Sequence, residues 1–400
     1  MFALHDVEVR RGMTTVMSGC TLSIQGGQTV VLSGNNGAGK STLLETIAGL
    51  LPLEHGRVQH QSTVIRDAEG RARTSPLNIG MVLQKNGMLG SEVVVEHLHC
   101  AMARSGRTVD VAPFLRAFGL THRTNDLVAH LSQGQARKVA VLAALLPAFA
   151  SATPALVLLD EPDAGLDDAS INTLKSWLDE LRLCGHALLI ATHDERIRQQ
   201  ATHLLDMDFE FTEVAAALEE PSPEPREASA SKPVSPAKFG LGMHLRTMMW
   251  LNTNAMAGLL TLGILLSLGD FHASLSEAQR WGFVLAPCLA VGLCGEPLVA
   301  ALREERSADW WRAVGGGEPH ASWLPLALGF AFSLMTALAL NAPVDERTLF
   351  VGSLLCFMVW HGVGWLQRST QRLARPQAVF VGLLTPVLIL PYALLIDLLA

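Results

Sequence analysis

No two cysteines in this chain form a CxxC pair, and none sits at the spacing of a metal site. The six present, Cys20, Cys100, Cys184, Cys288, Cys294 and Cys356, are scattered. That argues against a disulfide scaffold and reads as reduced, mostly buried thiols. Basic clusters are missing too, and the net charge is -7, so nucleic-acid binding has no electrostatic footprint. The opening MFALHDVEVRRG has no apolar core of a secretory signal, which places the first domain in the cytosol. No internal repeat is visible.

What is present is a chain of two unlike halves. Four hundred residues allow two or three domains. Up to about Glu220, charges, glycines and short apolar runs are mixed as in an α/β domain. After about Met248 the chain becomes long apolar stretches with brief polar loops, which reads as membrane. Between them runs EEPSPEPREASASKPVSPAK, whose proline, serine and charge without periodicity predict a disordered linker. The expected domains are therefore 1–210, a linker over 211–238, and an all-α transmembrane domain over 239–400.

In the first domain, Gln28 to Ser33, Leu156 to Asp160 and Ala187 to Thr192 are apolar strand candidates alternating with helical patterns. That order predicts a mainly parallel sheet with helices packed on it. The stretch from about Gly90 to Leu146 predicts a helical lobe inserted between strands. In the second half, five spans are expected, at about 254–269, 282–302, 322–341, 348–366 and 378–399. If the first leaves the cytosol, the internal loops hold Arg303, Arg306, Arg312, Arg368, Arg372 and Arg375, and the external ones only Arg280 and Arg347. This positive-inside bias agrees with a cytosolic first domain. Lys238 to Trp250 is expected to lie along the membrane surface as an amphipathic helix.

Chemistry concentrates in a few short motifs. Gly34, Asn35, Asn36, Gly37, Ala38, Gly39, Lys40, Ser41 and Thr42 match G-x-x-x-x-G-K-[ST], after a strand and at the start of a helix. Backbone amides freed by the glycines, with the helix N-terminus, cradle phosphates. Lys40 then reaches the β- and γ-phosphates, and Ser41 offers its hydroxyl to Mg²⁺. Leu156 to Glu161 (LVLLDE) ends a buried strand in a carboxylate, so Asp160 is oriented toward the metal. Glu161 follows where it can polarise the attacking water.

With these elements the chain resembles the ATP-binding cassette (ABC) family over about residues 1–210, an α/β P-loop NTPase fold. Leu131 to Gln135 (LSQGQ) is similar to the family signature, and Gln84 to its Q-loop glutamine. Ala164 to Asp167 (AGLD) resembles the D-loop, and His193 the switch histidine. The resemblance implies an ATP hydrolase using ATP and Mg²⁺, with Ser41, Gln84 and Asp160 at the metal. It also implies head-to-tail pairing with a second copy or a second half-transporter. Ser132, Gly134 and Gln135 of one cassette would then complete the other's site. The family's adenine-stacking aromatic has no counterpart in Val9 to Val16, where Arg10 or Arg11 offers a planar guanidinium instead.

The LSQGQARKVAVLAALL segment resembles the ATPase subunit of the haem exporter of cytochrome c maturation. EPLVAALREERSADWWRAVGGG and RPQAVFVGLLTPVLILPYALL are similar to that system's first membrane subunit. This implies a fused ATPase and permease in the bacterial inner membrane, multi-pass, with haem and other cytochrome c maturation subunits as partners. Export of a peptide, lipid or antibiotic is the alternative, and a mechanotransmitter without transport a third. The loop from Arg303 to His320 is expected to dock near Gln84, with Trp310 and Trp311 as interfacial anchors and Glu304 and Glu305 as its working charges. His272, His320 and His361 show no paired geometry of a haem ligand set. Glu296 lies inside a span, where an ionised carboxylate costs roughly 3 kcal/mol.

Overall fold

Leu156–Asp160 and Ala187–Ala191 are buried at every residue, the pattern of parallel strands covered on both faces. In the computed structural model they belong to a six-stranded sheet. Its order is Phe211–Glu213, His203–Asp206, Thr29–Ser33, Ala187–Ala191, Leu156–Asp160, Ile79–Val82. Neighbours are parallel except at the Phe211–Glu213 edge. A second, four-stranded antiparallel sheet is ordered Thr14–Ile24, Phe2–Arg11, His55–His60, Thr63–Asp67. The fold is the α/β P-loop architecture, with Val94–Met102, Ala112–Ala117 and the long Gln133–Ala150 supplying the helical lobe.

The structure describes residues 1–207, 211–213, 227–230, 232, 234–268, 277–315, 317–321, 323–342, 344–369 and 380–385. Two compact units emerge, one of Met1–Val234 with Arg303–Glu318, the other of Ser235–Leu302 with Pro319–Ala400. Within the stretch expected as a disordered linker, Phe211–Glu213 pairs with His203–Asp206 and Ser229–Ala230 pairs with Arg107–Thr108. A helix begins at Pro236.

Two buried histidines in the first unit carry a pH signature. His60 donates from Nε2 to the Ile47 carbonyl (2.9 Å), and the Ser75 hydroxyl meets its Nδ1 at 2.7 Å. His186 Nδ1 accepts from the Ala155 amide at 2.9 Å. Burial lowers each to about 4. Below about 6.5 the unfolded chain takes up protons that the folded one refuses, so stability held above 6.5 is lost as pH falls toward 4. The loss is at most about 3 kcal/mol per histidine. Thermal melts of the full chain in detergent should therefore show Tm falling between pH 7 and 5. A flat Tm over that range would rule the assignment out.

In the second unit, five spans were expected. Among the described residues, Arg280–Glu304 and Glu346–Ser369 are long and apolar enough to cross a membrane. The pair Pro236–Thr247 and Leu251–Ser267, bent by 64°, makes a third if it is one span. Leu324–Ala339 is apolar but shorter, and the expected 378–399 span lies mostly outside the described residues. The unit's core gathers Cys288, Val291, Leu328, Phe332, Cys356 and Trp360. Phe350, Met358 and Trp365 stay exposed on Glu346–Ser369.

The stretch 238–250, expected along the membrane surface, holds the helix Pro236–Thr247, whose polar His244 turns inward and is fully buried. His244 Nε2 lies 2.6 Å from Glu296 Oε1. Glu296 Oε2 accepts from the Ala321 amide (3.0 Å) and Trp360 Nε1 (3.3 Å). The carboxylate expected inside a span is thus paired within its own unit, which offsets the desolvation cost of its burial.

Candidate active site

Strand Thr29–Ser33 stops where helix Lys40–Ile47 has yet to start, and Gly34 to Gly39 turn the chain between them. Gly34, Gly37 and Gly39 hold φ of 137°, 85° and 103°, which side chains resist. Lys40 Nζ donates to the carbonyls of Gly34 (2.6 Å) and Asn35 (3.1 Å), so the ammonium sits within the loop. The loop amides and helix N-terminus form an anion cradle around it.

Asp160 ends Leu156–Asp160, separated from Thr29–Ser33 in the sheet by Ala187–Ala191, and the Ser41 hydroxyl bonds its carboxylate. Burial raises Asp160 above the usual carboxylate range; the Ser41 bond opposes this, and the charges of Glu161 and Glu45 add to it. A hydroxyl and a carboxylate oxygen side by side are the hard donors that Mg²⁺ prefers. Glu161 follows with φ of 50° and its amide bonded to the Ala191 carbonyl at 2.8 Å. A left-handed non-glycine residue costs about 1–3 kcal/mol and persists where its surroundings fix it.

Those surroundings include a residue that sequence reasoning missed. Arg137, buried on Gln133–Ala150, donates to the carbonyls of Leu83 (2.9 Å), Asp160 and Glu161 (2.8 Å), and to Asn86 Oδ1 (2.9 Å). It ties the start of the signature helix to the strand end carrying both acids. A charged residue two places beyond Gln135 was the available signal, but its direction needs the fold.

Gln84, Glu161, Gly134, Arg137, Gly165 and Glu305 line a cleft of about 600 Å³. His193 Nε2 reaches Asn36 Oδ1 of the phosphate loop at 3.1 Å. Ser132 caps its helix: its hydroxyl accepts from the Gln135 amide at 3.3 Å, and the Gln135 side chain accepts from the Ser132 amide at 3.0 Å. The structure therefore brings Gly34 to Thr42, Asp160, Glu161 and His193 together. Among the described residues, no hydrogen bond joins Ser132, Gly134 or Gln135 to the phosphate loop. Asp167 caps Asp168–Leu183 and is held well below the usual carboxylate range, first by the Lys138 ammonium at 2.6 Å.

Two expectations change. Arg11 is committed to Glu45, so it is not a free platform for adenine, while Arg10 bonds the Met13 carbonyl at 3.2 Å. Trp310 and Trp311 are not membrane-surface anchors, since both are 1% exposed inside the cassette unit. Trp310 packs on Gly87, where an added Cβ would lie 2.9 Å from the Trp310 Cβ, and its ring centroid is 4.4 Å from that of His97. Lys85 donates to the carbonyl of Glu304 at 2.8 Å, leaving that residue's carboxylate out of the contact.

The family model for ABC transporters matches residues 17–164. The glutamate/aspartate import ATP-binding protein GltL of Escherichia coli (strain K12) is 30% identical over 216 residues, 52% of this chain and 87% of that protein. The chain belongs to the ABC transporter family. Its cassette is an ATPase domain of that family, and a permease-like helical region follows it. The macrolide export ATP-binding/permease protein MacB of Escherichia coli O157:H7 is 30% identical over 272 residues, 64% of this ABC transporter chain. The chain spans 41% of that relative's length. Among solved structures, a bacterial ABC transporter cassette determined as a dimer shares 21% identity with a TM-score of 0.45, covering 52% of this chain and 94% of that one.

Proposed function

We propose that this ABC transporter chain is half of an ATP-driven exporter, multi-pass in the bacterial inner membrane with its cassette in the cytoplasm. One observation carries the reading. Arg303–Glu318, flanked in sequence by the apolar helices of the second unit, is folded into the unit of the cassette. Movement in the cassette is thereby tied covalently to those helices.

In this reading Gly34 to Thr42 wrap the phosphates of ATP, and Lys40 neutralises the β- and γ-oxygens. Ser41 and Asp160, with Gln84, would hold Mg²⁺, which supplies further charge neutralisation there. Glu161 orients and polarises the water, and His193, beside Asn36, closes the γ-phosphate end. Ser132 is exposed, and with Gly134 and Gln135 it is available to a second copy, making a homodimer the working form.

Haem export in cytochrome c assembly is the cargo favoured by the likeness of Glu296–Gly317 and Arg375–Leu395 to the haem exporter's membrane subunit. A second reading, export of a macrolide or peptide, is favoured by the similarity to MacB. Deletion in the native host, paired with ATP-dependent uptake into inverted vesicles, separates them. Loss of c-type cytochromes with haem uptake is the expected result. Macrolide or peptide uptake with cytochromes intact would establish the second reading. ATP hydrolysis with no cargo moved in either assay would overturn the exporter and leave a cassette that works on a membrane partner.

A further inference from the structure

Glu45 lies on helix Lys40–Ile47, whose first turn carries the phosphate-binding lysine, and it is 3% exposed. A buried carboxylate is retained when each oxygen finds a cation. Here Arg11 approaches Oε2, and Arg306 Nη1 donates to Oε1 at 2.5 Å. Arg306 comes from Arg303–Glu318, the segment that leaves the apolar helices and returns to them. On its other edge, Nε and Nη2 donate to Asp309 Oδ2 at 2.9 and 2.7 Å, so the fork is held in place before it meets Glu45. Arg312 in turn donates to Asp309 Oδ1 at 2.6 Å.

The backbone makes the same point independently. Arg306 has φ of 58°, a conformation that glycine adopts freely and arginine does not. A glycine there would relieve the turn but remove the guanidinium that reaches Glu45. Both carboxylates hold the guanidinium firmly charged, with the Glu45 bond the larger cause.

We infer that Arg306 is a positioning residue for ATP hydrolysis, linking the phosphate-loop helix through Glu45 to the segment continuous with the membrane helices. The Arg306–Glu45 pair is then a direct line between phosphate site and permease, separate from the contacts that Lys85 and Gly87 make beside Gln84. This deepens the exporter reading and rests on its assignment of Arg303–Glu318 as the connecting segment.

A double-mutant cycle on the full-length chain in detergent tests it, with Glu45→Gln, Arg306→Gln and the pair measured for kcat and KM of ATP hydrolysis. Each single variant should lower kcat roughly tenfold, within the range of known coupling energies, with KM changed far less. The double variant should be no worse than the weaker single, because the two act as one unit. Arg306→Lys, which keeps the charge, should recover part of the rate. Single variants with unaltered kcat, or losses that multiply in the double, would overturn the proposal. Cargo plays no part in this measurement, so failure of the exporter reading in vesicles and failure of the pair in detergent register separately.

Discussion

Glu161→Gln is expected to slow ATP hydrolysis by about a hundredfold or more while leaving ATP bound. A positioned general base contributes roughly 10² to 10⁴ to a rate, and glutamine keeps the shape but not the basicity. The geometry explains why this position and not its neighbour is sensitive in that way. Asp160 is buried, raised by that burial and bonded to the Ser41 hydroxyl, a setting suited to a metal ligand. Glu161, one residue on, leaves the strand direction through its left-handed φ of 50° and lines the cleft with Gln84. Its carbonyl stays fixed by Arg137 at 2.8 Å, so the substitution removes a proton acceptor without freeing the backbone. Phosphate release and binding of a fluorescent ATP analogue by the full-length chain check it together. Hydrolysis within threefold of the unaltered chain would remove Glu161 from the role of base.

The linear features of this site were readable because they depend on neighbours in sequence. Gly34 to Thr42 and Leu156 to Glu161 announce strand, turn and helix by composition, and the sheet follows from three apolar runs. What sequence could not show is where long side chains end. Arg137 and Arg306 look like surface charges on polar stretches, yet one is buried against two strand-end carbonyls and the other crosses 261 positions to Glu45. Arg11 was available for adenine by sequence because nothing local claims it; Glu45 does so from 34 positions away. Hydropathy treats tryptophan as a membrane-surface residue, but Trp310 has a tighter place on Gly87 and His97. That place exists only once the cassette has folded.

Trp310→Ala should therefore release Arg303–Glu318 from the cassette more completely than loss of any charge in it. Removing a buried tryptophan costs about 3–5 kcal/mol, because the cavity is lined by groups that cannot close it. The floor of this one is stiff: His97 Nδ1 is held 2.5 Å from Glu92 Oε2, and Glu92 Oε1 accepts the Leu89 amide at 3.0 Å. Gly87, with its φ of 72°, cannot readily grow a side chain to fill the space. Cleavage by trypsin at Arg303, Arg306 and Arg312 reports the opening directly, since local opening sets the rate when reclosing is fast. An increase of about a hundredfold or more is expected, each 1.4 kcal/mol being a factor of ten. Met13→Ala, at a side chain 92% exposed, should leave cleavage unchanged. If Trp310→Ala behaved like Met13→Ala, the aromatic contact would not be what holds the segment, and polar contacts such as those of Arg306 with Glu45 and of Lys85 with the Glu304 carbonyl would have to do so.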